Sequence, residues 1–186
     1  MRDRFEHQLE NLNNSLVSMC NLCEQVIENS VKALFISIDN DDEYNKVSQL
    51  VFDTDHEIDN YERKIEGLCL HLLLQQQPVA GDLRRISSAL KMISDLERIG
   101  DQASDITELS EYIRHSTLEH KLHLREMSKV VIEMVRNSID SYIEKDINKA
   151  LRVFEMDNEV DSLFDRVKGE LVAIIADDDT DAELCI

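Results

Sequence analysis

Apolar side chains recur along this chain at steps of three and four, the spacing that gathers one face of an α-helix. Residues 3–38 run this way from Phe5 through Leu9, Leu12, Leu16 and Met19 to Ile38, with no Pro or Gly between them. The acidic run Asp39 to Glu43 breaks the pattern and offers an N-cap near Asp41. A second stripe, Val47, Val51, Ile58, Ile65 and Leu72, predicts a helix from about Asp42 to Gln75. Pro78 suits the first turn of a third helix, where no backbone donor is lost. Its stripe runs through Leu83, Ile86, Leu90, Ile93 and Leu96 to Ala103, Ile106, Leu109 and Ile113. Residues 114–120 lose the period, which predicts a domain boundary there. A fourth helix follows over about 122–143, with Met127, Val130, Val131, Met134, Val135, Ile139 and Ile143 inward, and Asp146 opens a fifth that reaches about Ala176.

Composition narrows the fold class to all-α. Four Gly and one Pro in 186 residues are too few for the closely spaced turns of a β architecture. No apolar run approaches the roughly 18 residues of a membrane span. The charged start MRDRFEHQLE carries no secretory segment. A cytoplasmic protein is the expectation. The net charge of −19 repels phosphate backbones, so nucleic acid is not an expected partner. It repels anionic lipid as well, so membrane association is expected only through protein partners.

Candidate chemistry concentrates between Asp55 and Ile106. At 100° per residue, Asp55, Asp59, Glu62 and Glu66 fall on one strip of the second helix, while Arg63 and Lys64 lie off it. Glu97, Asp101 and Asp105 make a second row on the third helix, with Glu97 at the edge of the apolar stripe. A carboxylate there is partly desolvated and needs a cation or hydrogen bonds in compensation. Gly100 inside that row costs about 1 kcal/mol of helix stability against Ala, which close approach of a helix or ligand explains. Two facing rows are expected to hold metal. Carboxylates at i and i+4 are about 6 Å apart along the axis, suited to bridging neighbouring ions rather than chelating one. Oxygen donors favour magnesium, manganese or iron.

Other features are weaker. Cys20 and Cys23 form a C-x-x-C inside a helical pattern, with no second pair, and read as two small half-buried side chains. His115, His120 and His123 read as solvated. A di-iron enzyme would need Glu-x-x-His on two helices, and no histidine has Glu three residues before it. A helical interaction module without metal is the other alternative. An internal repeat also emerges: Asp157-Asn158-Glu159-Val160-Asp161 echoes Asp55-His56-Glu57-Ile58-Asp59 at an offset of 102, with Gly67 matching Gly169. The counterparts of Glu97 and Asp101 would fall at 199 and 203, past Ile186, so the second bundle is expected to lack its last helix. That would leave the fourth and fifth helices open to a second copy, as in a homodimer.

The string QQPVAGDLRRI, then DLERIGDQASDI, the upstream D-x-x-x-D and the two-fold repeat together resemble the PhoU family over essentially the whole chain. The resemblance implies tandem antiparallel three-helix bundles, here residues 1–114 and an incomplete 115–186. It implies metal, often multinuclear iron or zinc, on acidic-x-x-x-Asp motifs. On matching positions these are Asp55, Asp59, Glu97 and Asp101, with Asp157 and Asp161 as half of a second set. It further implies a non-enzymatic negative regulator of phosphate uptake and phosphate-starvation signalling, acting through the phosphate ABC-transporter ATPase and a phosphate-sensing histidine kinase.

Overall fold

A computed structural model describes residues 2–75, 79–114 and 123–175. Its elements there are α1 (Arg2–Leu34), α2 (Asp41–Gln75), α3 (Ala80–Arg114), α4 (Leu124–Glu144) and α5 (Ile147–Ile175). Among the described residues there is no strand. The fold is all-α, as the periodicity predicts. Pro78, His115, His120, Cys185 and the expected restart near Thr180 lie outside the described residues.

Helices α1, α2 and α3 pack on one another, and their stripes meet in one core. Leu12, Leu16, Met19 and Val26 of α1, Val51, Ile58, Ile65 and Leu72 of α2, and Ile86 and Ile93 of α3 are buried in it. Helix α4 lies against α1 and sends Ile139 into the same core. Its Arg136 Nε donates to Glu24 Oε1 at 3.0 Å, and its Tyr142 hydroxyl donates to the Arg85 carbonyl at 2.9 Å. Helix α5 packs on α4 through buried Leu163 and Val167, leaving Ile147, Leu151 and Phe154 exposed. The turn between them needs Lys145 in the left-handed region (φ 58°), and Asp146 Oδ1 then accepts from the Asn148 amide at 2.8 Å.

Several local expectations shift. Helix α1 stops at Leu34 rather than Ile38, because Ile36 turns inward against Ala33, Tyr44 and Val47. The cap of α2 is Asn40, whose Oδ1 accepts from the Glu43 amide at 3.4 Å while its Nδ2 donates to Glu43 Oε2 at 2.7 Å. The buried line of α3 rotates past Ala103, so that Thr107 and Ser110 are buried while Ile106 and Leu109 are exposed. The rotation follows from Tyr44, whose hydroxyl donates to the Thr107 carbonyl and sits 3.1 Å from Ser110 Oγ. Ile106 and Leu109 instead line an apolar groove of about 350 Å³ with Ile27, Val31, Met127 and Val131. His123 is not solvated: its Nδ1 lies 2.6 Å from Glu170 Oε1, tying α4 to α5.

Arg114 closes the far end of the three-helix bundle. Its side chain is only 3% exposed and donates to the Ser37 and Ile38 carbonyls at 3.1 Å and to Asp41 Oδ1 at 2.8 Å. Its guanidinium also stacks 4.1 Å from the centroid of the Tyr44 ring. One side chain thus satisfies the backbone of the α1–α2 turn and holds the end of α3 to it. Removing it deletes the hydrogen bonds of a charged donor, which contribute about 1.5–3 kcal/mol, together with the stacking on Tyr44. Arg114→Ala is expected to lower unfolding free energy in urea by about 2–3 kcal/mol. Arg114→Lys should recover only part of it, since an ammonium lacks the planar fork.

Candidate functional site

The acidic strip of α2 faces α3 across a narrow seam. Both rows arise from i, i+4 spacing on straight helices, and the apolar stripes beside them fix which faces meet. The closest approach is at Gly100. A Cβ built there would overlap Asp55 Oδ1 and lie 3.2 Å from Ile58 Cδ1. Only a residue without a side chain lets α2 and α3 come together at this level. The expectation drawn from the glycine alone holds, and Asp55 is the neighbour that requires it.

Asp55 is half-buried, with its two oxygens in different surroundings. Oδ2 accepts from Ser104 Oγ at 2.9 Å. Oδ1 is buried with no hydrogen-bond partner. Burial is the first cause that pushes its pKa above the usual carboxylate range; the Ser104 bond opposes this, and the charges of Asp101 and Asp59 add to it. Glu97 is raised in the same direction, first by burial, then by Asp101, Glu62, Asp59 and Asp55. Ser94 Oγ donates to Glu62 Oε1 at 3.5 Å across the same seam. Asp55, Asp59, Glu97 and Asp101 are therefore brought to one place, with Glu62 beside them. Among the described residues none of these five forms an ion pair with a Lys or Arg. Arg63 donates instead to Asn60 at 3.1 Å, and Lys64 lies over the Tyr61 ring.

The seam is open rather than closed into a cage. Among the described residues no three acidic, His or Cys side chains gather closely enough to hold one ion. Asp101 is exposed, as are Glu66 and Asp105 at the ends of the two rows. Asp157 and Asp161 are also exposed, on α5, away from the first seam. The innermost acceptor of the seam is the unpartnered Asp55 oxygen. Ser104 was not singled out from the sequence. Its position, four residues beyond Gly100 on α3, could have marked it once Asp55 was placed opposite.

The cysteines do not contribute a site. Cys20 and Cys23 are fully rather than half buried. Burial pushes Cys20 up to about 12, with Glu24 next to it adding to the shift, and raises Cys23 further. The Cys23 thiol donates to the Leu96 carbonyl at 3.4 Å. Thiols held this firmly protonated are poor nucleophiles and poor metal ligands.

Long antiparallel helices packed on one apolar core place the protein among the all-α helical bundles. The chain itself belongs to the PhoU family: the PhoU domain model matches residues 16–110 and again 124–185. It is 33% identical over 181 residues to a phosphate-specific transport system accessory protein PhoU homolog of Clostridium acetobutylicum, covering 95% of this chain and 79% of that one. A homolog of the same name from Aquifex aeolicus is 32% identical, over 92% of this chain and 75% of that one. The crystal structure of PhoU from Pseudomonas aeruginosa superposes with a TM-score of 0.82 at 32% identity, over 94% of this chain and 81% of that one. These relatives are named accessory proteins rather than enzymes.

Gly100→Ala is expected to destabilise by about 1–3 kcal/mol, the usual cost of overpacking, despite the better helix propensity of Ala. Gly67→Ala, where an added methyl meets nothing within 4 Å, should stabilise by up to about 1 kcal/mol. Urea titration of both separates close approach from propensity. The raised pKa values carry a sign of their own. A carboxyl raised on folding holds its proton more tightly folded than unfolded; its favourable contribution is present below the unfolded pKa and is lost as pH climbs through the folded one. With chelator present, stability should fall across that window, and Asp55→Asn should flatten the fall.

Proposed function

We propose that this chain is a regulatory adaptor of phosphate uptake, a negative regulator of phosphate-starvation signalling that acts by contact with the phosphate-transporter ATPase and the phosphate-sensing kinase. Its PhoU relatives, named as accessory proteins of a phosphate-specific transport system, support the setting. The observation that carries the chemical part is the buried, unpartnered Asp55 Oδ1 beside the like charges of Asp101 and Asp59, with His56 the one opposing charge nearby. Such a group is costly unless a cation or a proton meets it.

In this reading Asp55 and Asp59 on α2 and Glu97 and Asp101 on α3 hold iron, manganese, magnesium or zinc. A bound ion would neutralise the seam and clamp α2 to α3. Gly100 lets the helices close, and Ser104 orients the Asp55 carboxylate. Asp157 and Asp161 would ligate only with further donors from outside the described residues. The openness of the seam favours a second reading, in which the acidic rows contact a basic surface on the partner and no metal is needed.

Elemental analysis of protein purified without chelator decides between them. The expected result is bound transition metal in the wild type and its loss in Glu97→Ala with Asp101→Ala. Equal metal in both proteins, or none in either, removes the metal reading. A pull-down with the transporter ATPase tests the adaptor role separately, and absence of contact with both ATPase and kinase would reject it.

A further inference from the structure

A short stretch of α1 touches the acidic seam on one side and the second repeat on the other. Cys23 points into the first bundle, where its thiol donates to the Leu96 carbonyl of α3 at 3.4 Å. In a continuous helix that carbonyl also accepts from the Gly100 amide, four residues on. The thiol therefore meets α3 on the turn where Asp55 and Ile58 press against Gly100. Burial raises the Cys23 thiol first, then Cys20, Glu24 and Asp55, so the Asp55 charge is felt there as well. Three helices meet at this level: α1 at Cys23, α2 at Asp55 and Ile58, and α3 at Leu96 and Gly100.

Glu24 follows directly, turned about 100° around α1 and toward α4. Its side chain is only 13% exposed, and Arg136 holds both of its oxygens, Nε donating to Oε1 at 3.0 Å and Nη2 to Oε2. The Cys20 thiol, one turn back, donates to the same Oε1 at 3.8 Å. A two-pronged guanidinium–carboxylate pair fixes orientation as well as distance. Breaking it leaves a largely buried carboxylate uncompensated. Of the helices in the first bundle, α4 rests chiefly on α1, with Val135, Ile139 and Ile143 packed into the shared core.

Cys23 and Glu24 are consecutive on one rigid turn, so neither backbone moves without the other. A change in the spacing of α2 and α3 at Gly100 shifts the Leu96 carbonyl against Cys23. Helix α1 must then lose that bond or follow, and following displaces Glu24 beneath Arg136. We propose that the width of the α2–α3 seam is coupled in this way to the seating of α4, with Cys23 and Glu24 as the positioning residues that transmit it. Whatever fills the seam then governs how firmly the second repeat is held. That regulatory use rests on the seam being the functional site; the coupling itself does not.

A double-mutant cycle on the full chain, unfolded in urea without added metal, tests the coupling. Gly100→Ala forces the seam wider, and Arg136→Gln releases Glu24; the two act through different neighbours. Independent sites change the unfolding equilibrium constant by factors that multiply to within about twofold. With α4 released, α1 is free to follow α3, so the double variant should fall short of that product by at least about fivefold. Cys23→Ala, which removes the donor to the Leu96 carbonyl, should restore the product. Cys23→Ser, which keeps a donor, should preserve the shortfall. Circular dichroism establishes that each variant is folded. Ser104→Ala, which frees the Asp55 carboxylate without added bulk, takes the place of Gly100→Ala if that chain does not fold. Effects that simply multiply in the wild-type background, or a shortfall that survives Cys23→Ala, overturn the proposal. No metal enters the cycle, so its failure is distinct from an absence of bound metal by elemental analysis.

Discussion

The contact of α2 with α3 at Gly100 is the constraint on which the rest of this molecule turns. Two helices approach closely enough that one must give up its side chain, and the group pressed into that gap is a carboxylate. Packing and electrostatics oppose each other there. The apolar stripes on both sides, Ile58 and Ile65 facing Leu96 and Ile93, draw the helices together. The acidic rows at the edge of those stripes push them apart. Ser104 relieves one oxygen of Asp55 and leaves the other without a hydrogen-bond partner among the described residues.

Much of this was legible in the sequence. The five helices follow from steps of three and four, because the period survives wherever a helix has one continuous buried face. The two rows and their closeness follow from the same arithmetic, with Gly100 as the sign that they meet. The α3 stripe was legible only in part. Ile106 and Leu109 continue the apolar pattern, but the core turns to Thr107 and Ser110, since a long helix drifts by about 20° per heptad and its apolar residues can serve two neighbours. Polar side chains therefore replaced apolar ones in the buried line, and hydropathy ranks them wrongly.

Arg114 was illegible for a different reason. Its partners lie 73 to 77 residues away, in a turn that the pattern extended as helix. A basic residue at the end of a helix reads as an ordinary complement to the helix dipole. That it reaches across to Ser37, Ile38 and Tyr44 depends on three helices of nearly equal length being folded back on one another. His123 repeats the lesson on a smaller scale, since its partner Glu170 is on the next helix. A sum over the chain also conceals how unevenly α2 is charged: it carries acids from Asp41 to Glu66 and no Asp, Glu, Lys or Arg from Gly67 to Gln75.

The buried thiols give the molecule an internal clock. Cys20 and Cys23 on α1 and Cys69 on α2 are sealed in the shared core, and burial keeps all three protonated. An alkylating reagent can reach them only when α1 and α2 part. The rate at which each is trapped therefore measures how often the first bundle breathes, residue by residue. Whatever steadies α2 against α1 leaves its mark on that rate without touching a thiol.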